Sequence, residues 1–123
     1  MRFDIPKTWQ IWEDNGMEWG SSMNYSGKDG FRCGICYPFS VFNILTQKKL
    51  SLKERPLIVM DVNQLLQKNM CPEKMKKNIE KLNNTVKKYQ GEFVFLWHNS
   101  SFNTDKWRIY QNTYASILNE EKI

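Results

Sequence analysis

The sequence of 123 residues contains one histidine and three cysteines, and its apolar runs are short. The longest of these runs, residues 56–60 and 93–97, are about a quarter of the ~20 residues that a membrane-spanning helix needs. The odd number of cysteines argues against a disulfide scaffold. The N-terminal residues MRFDIPKTW place an acid and a proline where a signal peptide has an apolar stretch. We therefore expect a cytoplasmic protein with no membrane partner.

The composition indicates one small folded domain over residues 1–123. Hydrophobic residues make up 41% and charged residues 25% of the chain, which excludes a disordered protein. The net charge of +5 comes mainly from residues 48–55 and 74–88. The second of these segments has apolar residues at helical spacing between its lysines, as in the solvated face of an amphipathic helix. No basic and aromatic motif of a known module is present, so we expect no nucleic-acid partner.

The cysteines form a single Cys-x-x-Cys pair, Cys33 and Cys36, and a distant Cys71. A structural zinc site normally has four ligands. Cys71 and His98 are the remaining candidates, but their spacing matches no known zinc module. A redox pair usually opens a helix, whereas Pro38 follows here. Packed or loop thiols are the favoured interpretation, and a metal site or a redox pair are the alternatives.

The apolar pattern predicts alternating helices and strands. Helices are expected at residues 7–15, 62–70, 73–89 and 107–118, and strands at residues 17–22, 56–60 and 93–97. Residues 24–34 are expected to form an ordered loop and residues 46–55 a surface connection, and residues 37–45 receive no assignment. Strands that alternate with helices indicate a parallel α/β arrangement.

Polar residues follow two of the predicted strands. Asp61 comes directly after the first and His98 directly after the second. Functional groups collect at the carboxyl ends of parallel strands, and a histidine near a carboxylate can act as a general acid or base. A purely structural histidine is the alternative. In the loop before them, Asp29 and Arg32 are three residues apart. The loop either holds the Arg32 guanidinium toward a carboxylate or is an ordinary turn at Asp29 with a surface arginine.

Four aromatic residues are candidates for ligand contacts: Trp19, Tyr25, Trp97 and Trp107. Their rings could stack on the flat faces of sugars. Aromatic rings also dominate protein cores. The sequence leaves both roles open.

Three segments together resemble a bacterial branch of the NodB-type polysaccharide deacetylases. Residues 30–39, GFRCGICYPF, resemble the GFRCGTCYPF segment of that branch. Residues 56–61 resemble its penultimate strand, and residues 96–100 resemble its last strand, which carries the family's histidine motif. Residues 2–9 also resemble the stretch that leads into a helix there, so the resemblance runs in order over nearly the whole chain.

The resemblance implies a partial (β/α) barrel of parallel strands alternating with helices. It also implies metal-dependent removal of N-acetyl groups from a sugar polymer. The family holds a divalent metal, usually zinc, with one aspartate and two histidines. The implied catalytic residues are His98 as the general acid, Asp29 as the acid that supports it, and Arg32 at the same mouth. The resemblance places Asp61 at the same end of the barrel. We predict substrate contacts by Asp61 and by the aromatic rings of Tyr25, Trp97 and Trp107, which can stack on sugars.

The sequence also departs from the family. It has no Thr-Phe-Asp-Asp segment and no His-x-x-x-His, and Gly20 stands where the family usually has an aspartate. The resemblance therefore covers only the C-terminal half of the family domain. We expect no metal site in this chain and no activity from it alone, with zinc and its ligands on a separate chain that carries the other half. The alternative is a non-enzymatic domain that binds carbohydrate or another protein.

Overall fold

The computed structural model of the chain describes residues 3–66 and 70–120. Five strands, five α-helices and one 3₁₀ helix are assigned within them. In chain order these are α1 Lys7–Asp14, β1 Trp19–Gly20, β2 Phe39–Asn43, β3 Lys48–Glu54, β4 Val59–Met60, α2 Asp61–Leu66, α3 Pro72–Lys88, β5 Phe95–Leu96, the 3₁₀ helix Asn99–Phe102, α4 Asp105–Arg108 and α5 Gln111–Glu120.

The strands form two small sheets. The first has the order β1-β3-β2, with β1 parallel and β2 antiparallel to β3. The second is the parallel pair β4 and β5. The protein is therefore mixed α/β, and residues 3–66 and 70–120 form no closed barrel. In the same two ranges, no helix is long and apolar enough to cross a membrane.

The hairpin of β2 and β3 is absent from the sequence prediction, which took residues 46–55 for a surface connection. That prediction was wrong because it followed the charge of the segment rather than its alternation. Leu50, Leu52 and Glu54 are buried, and the residues between them are exposed. This is the period of two expected for a strand with one buried face. Gln47, with φ of 54°, makes the turn that precedes β3.

Two apolar clusters form the core. In the first, α1 packs on the hairpin through Trp9, Val41, Leu50 and Leu52. In the second, α3 and the C-terminal helices cover the parallel pair. Its fully buried members include Ile58, Val59, Met75, Ile79 and Val86. The second cluster includes Val59 and packs against Phe95 and Trp97, so it supports the strands that precede Asp61 and His98.

The predicted helices are present with shifted ends. The helix predicted at residues 62–70 begins earlier, as α2, and residues 67–69 of it lie outside the described residues. The helix predicted at residues 73–89 is α3. The single helix predicted at residues 107–118 is divided between α4 and α5.

Gly91 is needed for a close approach of the backbone after α3. Gln90, with φ of 53°, takes the left-handed conformation after α3. A Cβ on Gly91 would lie 2.3 Å from the sulfur and 2.7 Å from the carbonyl oxygen of Cys36. The glycine therefore allows the chain to cross closely over the Cys36 loop before it enters β5.

Candidate active site

The parallel pair of strands brings Asp61 and His98 together. Asp61 begins α2 directly after β4, and His98 lies two residues after the end of β5. Met60 is paired with Leu96 in the register of the two strands. The side chains that follow these strands therefore meet at the same end of the sheet, as expected for parallel strands.

The carboxylate of Asp61 holds both the backbone and the ring of His98. Its Oδ1 lies 2.6 Å from His98 Nδ1 and accepts the Val62 N–H at 2.7 Å. Its Oδ2 accepts the His98 N–H at 2.9 Å and the Ser101 hydroxyl at 2.6 Å. Asp61 is only 1% exposed. These four contacts supply the partners that a buried carboxylate needs.

The contact with Asp61 also selects the tautomer of the neutral imidazole. An ionised carboxylate only accepts hydrogen bonds, so Nδ1 of His98 carries a proton. In the neutral ring, the lone pair then lies on Nε2. The His98 side chain is 39% exposed, whereas Asp61 is fully enclosed. The pair can therefore exchange a proton through Nε2, with Asp61 stabilising the imidazolium that forms.

Asp29 lies near this pair but does not support the imidazole. It accepts the Met60 N–H at 3.0 Å, the Asn63 amide at 3.1 Å and the Gln64 amide. Burial raises the pKa of Asp29, hydrogen bonds from these three residues lower it, and the charge of Asp61 raises it further. The position implied for Asp29 by the family resemblance is therefore held by Asp61. Asp29 instead fastens the preceding loop to the start of α2.

Arg32 lies on a pocket next to the pair. Its Nη1 donates to the carbonyl oxygen of Asn24 at 2.7 Å. The pocket is also lined by Met60 and Val62, the residues on either side of Asp61 in the chain. Among the described contacts, Arg32 makes no hydrogen bond to the carboxylate or the imidazole. The structure thus places Arg32 on a pocket that contains the chain neighbours of Asp61, without a described contact to Asp61 or His98.

The aromatic candidates divide between core and surface. Trp107 is 8% exposed and belongs to the second core cluster, so the structure gives it a packing position rather than the predicted substrate contact. Trp97 is partly buried, with ring centroids 5.7 Å from Trp107 and 5.1 Å from Tyr114. Trp19 is 39% exposed, and the guanidinium of Arg55 lies 4.0 Å from its ring centroid.

A second buried carboxylate, that of Glu54, lies on β3 beside β1. Glu54 accepts hydrogen bonds from the Trp9 indole and from the N–H groups of Ser22 and Met23, at 3.2, 2.6 and 2.9 Å. A Cβ on Gly20 would lie 2.8 Å from Glu54 Oε2. The position at which the family usually has an aspartate is therefore packed against a carboxylate that comes from β3.

Three polar residues of the site were missed in the sequence. Ser101 lies three residues after His98, and this polar stretch at a strand end was the signal that could have identified it. Asn63 and Gln64 reach Asp29 only because the loop folds onto the first turn of α2. No pattern in the sequence indicates that contact.

The described residues do not fit a zinc site. Among them, no group of three or more His, Cys, Asp or Glu side chains could hold a metal ion. The three cysteines are free. Burial raises the pKa of the Cys33 thiol, and the charge of Glu54 adds to this while that of Arg32 opposes it. A raised pKa disfavours the thiolate that both redox chemistry and metal binding require.

Comparisons with known proteins assign no family to the chain. No protein-family model, curated protein or solved structure matches it. The geometry around Asp61 and His98 and the resemblance of the three segments are therefore the features that point to a function.

Proposed function

We propose that this chain provides the proton-transfer part of a carbohydrate N-deacetylase site, related to the C-terminal half of the NodB-type polysaccharide deacetylases. The observation that carries the proposal is the 2.6 Å contact between His98 Nδ1 and Asp61 Oδ1. It joins a buried carboxylate to an imidazole that is partly exposed. The chain is inactive alone, because the metal ligands come from residues outside these 123.

The role of His98 follows from the chemistry of amide hydrolysis. When the C–N bond of an N-acetyl group breaks, the leaving nitrogen must gain a proton. His98 in its imidazolium form donates that proton from Nε2. Asp61 holds the ring through Nδ1 and lowers the energy of the charged form. In the complete family domain, zinc supplies the activation of the attacking water.

The small second sheet supports a requirement for a partner. The loop before α2 covers the outer edge of β4, where the Met60 N–H donates to Asp29 Oδ1 and the Ile58 carbonyl oxygen accepts the Gly30 N–H. The outer edge of β5 has no strand beside it in the described residues, and such an edge can pair with another chain. In the described residues, the β4 and β5 pair has no third strand. We propose that a metal-binding half-domain, on another chain or elsewhere in a longer one, packs at this sheet. The free thiols support a cytoplasmic location, where cysteines remain reduced.

The test is a reconstitution experiment. The chain is mixed with zinc and a polypeptide that carries the Thr-Phe-Asp-Asp and His-x-x-x-His half of a NodB-type deacetylase. Release of acetate from oligomers of N-acetylglucosamine is then measured. We expect acetate from the mixture and none from either part. The Asp61→Asn variant should lose this activity, and Asp105→Asn, a change at an exposed aspartate, should retain it.

Two outcomes would contradict the proposal. One is acetate release by the chain alone, because the described residues form no metal site. The other is a mixture that binds together but is equally active with and without Asp61→Asn. That result would leave the Asp61–His98 pair with a structural role only.

A second candidate function is carbohydrate binding without catalysis, favoured by the pocket that Arg32 lines. Tyr25 lies on the same pocket, with the Lys28 ammonium 4.4 Å from its ring centroid. A pure binding domain should bind oligosaccharides equally well with and without His98→Ala. It should also give no acetate in the reconstituted mixture, which separates it from the deacetylase proposal.

A further inference from the structure

The pocket beside the Asp61–His98 pair has features of a binding site for an anion. It has a volume of about 420 Å³, within the range of small-molecule sites. It lies between the loop that carries Asn24 and the first turn of α2. The lining residues relevant here are Asn24, Tyr25, Arg32, Met60, Val62 and Asn63.

The side chain of Asn24 is buried, and the nitrogen of its amide lacks a hydrogen-bond partner among the described residues. The residue is 7% exposed, and its Oδ1 accepts the N–H of Tyr25 at 2.7 Å. Its Nδ2 donates to no acceptor within residues 3–66 and 70–120. Buried polar groups are rarely left unpaired, and each exception needs an explanation. Because Asn24 lines the pocket and its Nδ2 is buried, a small rotation of the side chain would bring this donor to an acceptor atom of a bound ligand.

Arg32 gives the pocket its charge. It is the only charged residue among the described residues that line the pocket. One N–H of its guanidinium is used by the Asn24 carbonyl, and the described residues provide no acceptor for the others. The bond to Asn24 tethers one end of the guanidinium at the pocket, and because the residue is exposed, its remaining donors are accessible to a ligand. A carboxylate accepts two such donors side by side.

The remaining lining suits the body of a sugar. Tyr25, Met60 and Val62 give apolar surface next to the donors. Met60 and Val62 flank Asp61 in the chain, so the pocket lies against the segment that carries Asp61. We propose that this pocket is a subsite for the carboxylate of an acidic sugar, such as a uronic acid unit of the polymer. The sugar part of this inference rests on the proposed function, whereas the carboxylate part rests on Asn24 and Arg32.

The inference is tested by binding to the chain alone, with two glycosides that differ only at C6. Methyl β-glucuronide and methyl β-glucoside are titrated while backbone amide signals are followed by NMR. We expect the glucuronide to bind at least tenfold more tightly, and to shift the signals of Asn24, Tyr25 and Val62. Acetate is titrated in parallel. Weaker binding of acetate than of the glucuronide identifies a sugar subsite rather than a general carboxylate site.

Matched variants identify the residue responsible. Arg32→Gln should remove the preference for the glucuronide, and Arg32→Lys should weaken it by losing the planar fork. Arg108→Gln removes the same charge from an exposed position and should change nothing. Equal binding of the two glycosides to the unaltered chain, or equal losses in Arg32→Gln and Arg108→Gln, would overturn the inference.

The subsite and the proposed activity can fail separately. Asp105→Asn, at an exposed position outside the pocket, should leave the affinity for methyl β-glucuronide unchanged. Tight glucuronide binding without acetate release in the reconstituted mixture would refute the deacetylase and keep the subsite. Acetate release from the mixture without any glucuronide preference would refute the subsite and keep the deacetylase.

Discussion

Replacing Asp61 by asparagine tests the hydrogen bonds that hold His98. The two carboxylate oxygens each accept one backbone N–H, from Val62 at Oδ1 and from His98 at Oδ2. An amide has only one acceptor oxygen, so its NH₂ group must replace one of the two. The Ser101 hydroxyl can rotate and the imidazole can change tautomer, but a backbone N–H cannot become an acceptor.

The cost of Asp61→Asn follows from that count. Whichever way the amide is oriented, one backbone N–H in a buried place faces another donor. A buried donor left without a partner costs about 1–3 kcal/mol. For a chain of this length, each kcal/mol lowers the melting temperature by roughly 3–5 °C. We therefore expect a clear decrease in Tm, with Asp105→Asn, at an exposed position, as the unaffected control.

The tautomer of His98 gives a second, independent readout. Because the chain has a single histidine, the imidazole ¹⁵N signals can come only from His98. At a pH where the ring is neutral, the unaltered chain should carry its proton on Nδ1. An Nε2–H tautomer in the unaltered chain would refute the reasoning. So would an Asp61→Asn variant with unchanged Tm, since the carboxylate would then hold no buried N–H.

Three further predictions concern groups away from the imidazole. Gly91→Ala should lower stability by about 1–3 kcal/mol in chemical unfolding, because its Cβ would overlap Cys36; an unchanged midpoint would contradict the close approach. Glu54→Gln should cost about 1–3 kcal/mol, because its NH₂ group would face the Trp9 indole N–H; a more stable variant would contradict this. The raised pKa of Asp29 means that the folded state holds this proton more tightly than the unfolded state. Its contribution to stability is therefore fully present below the ordinary value of 3.8 and is lost as pH rises through the folded pKa. Relative to Asp29→Asn, the unaltered chain should thus lose stability as pH rises through that window, and a relative gain there would contradict the effect of burial.

The meeting of Asp61 and His98 was predictable from the sequence, because each directly follows a continuous apolar run. The carboxylate that supports the imidazole was not. Asp29 was assigned that role from the resemblance alone, whereas the first residue of α2 lies closer to the end of β5. The choice between two nearby carboxylates depends on the loop path, and that path has no signature in the sequence.

Trp107 shows how two interpretations of one residue can conflict. Its place in the helix predicted at residues 107–118 indicated a core position, while the predicted sugar contact required an exposed ring. The burial of Trp107 agrees with the helical pattern. The helical periodicity was the better guide to the burial of Trp107. The alternation of residues in β3, which the prediction overlooked, would likewise have indicated its buried face.

The most direct test of the central claim is the rate of acetate release by the reconstituted mixture with His98→Gln. Loss of a general acid lowers such rates by about 10²–10⁴-fold. We predict a decrease of this size, with unchanged association of the two parts. A variant that associates normally and releases acetate at the unaltered rate would contradict the assignment of His98 as the proton donor.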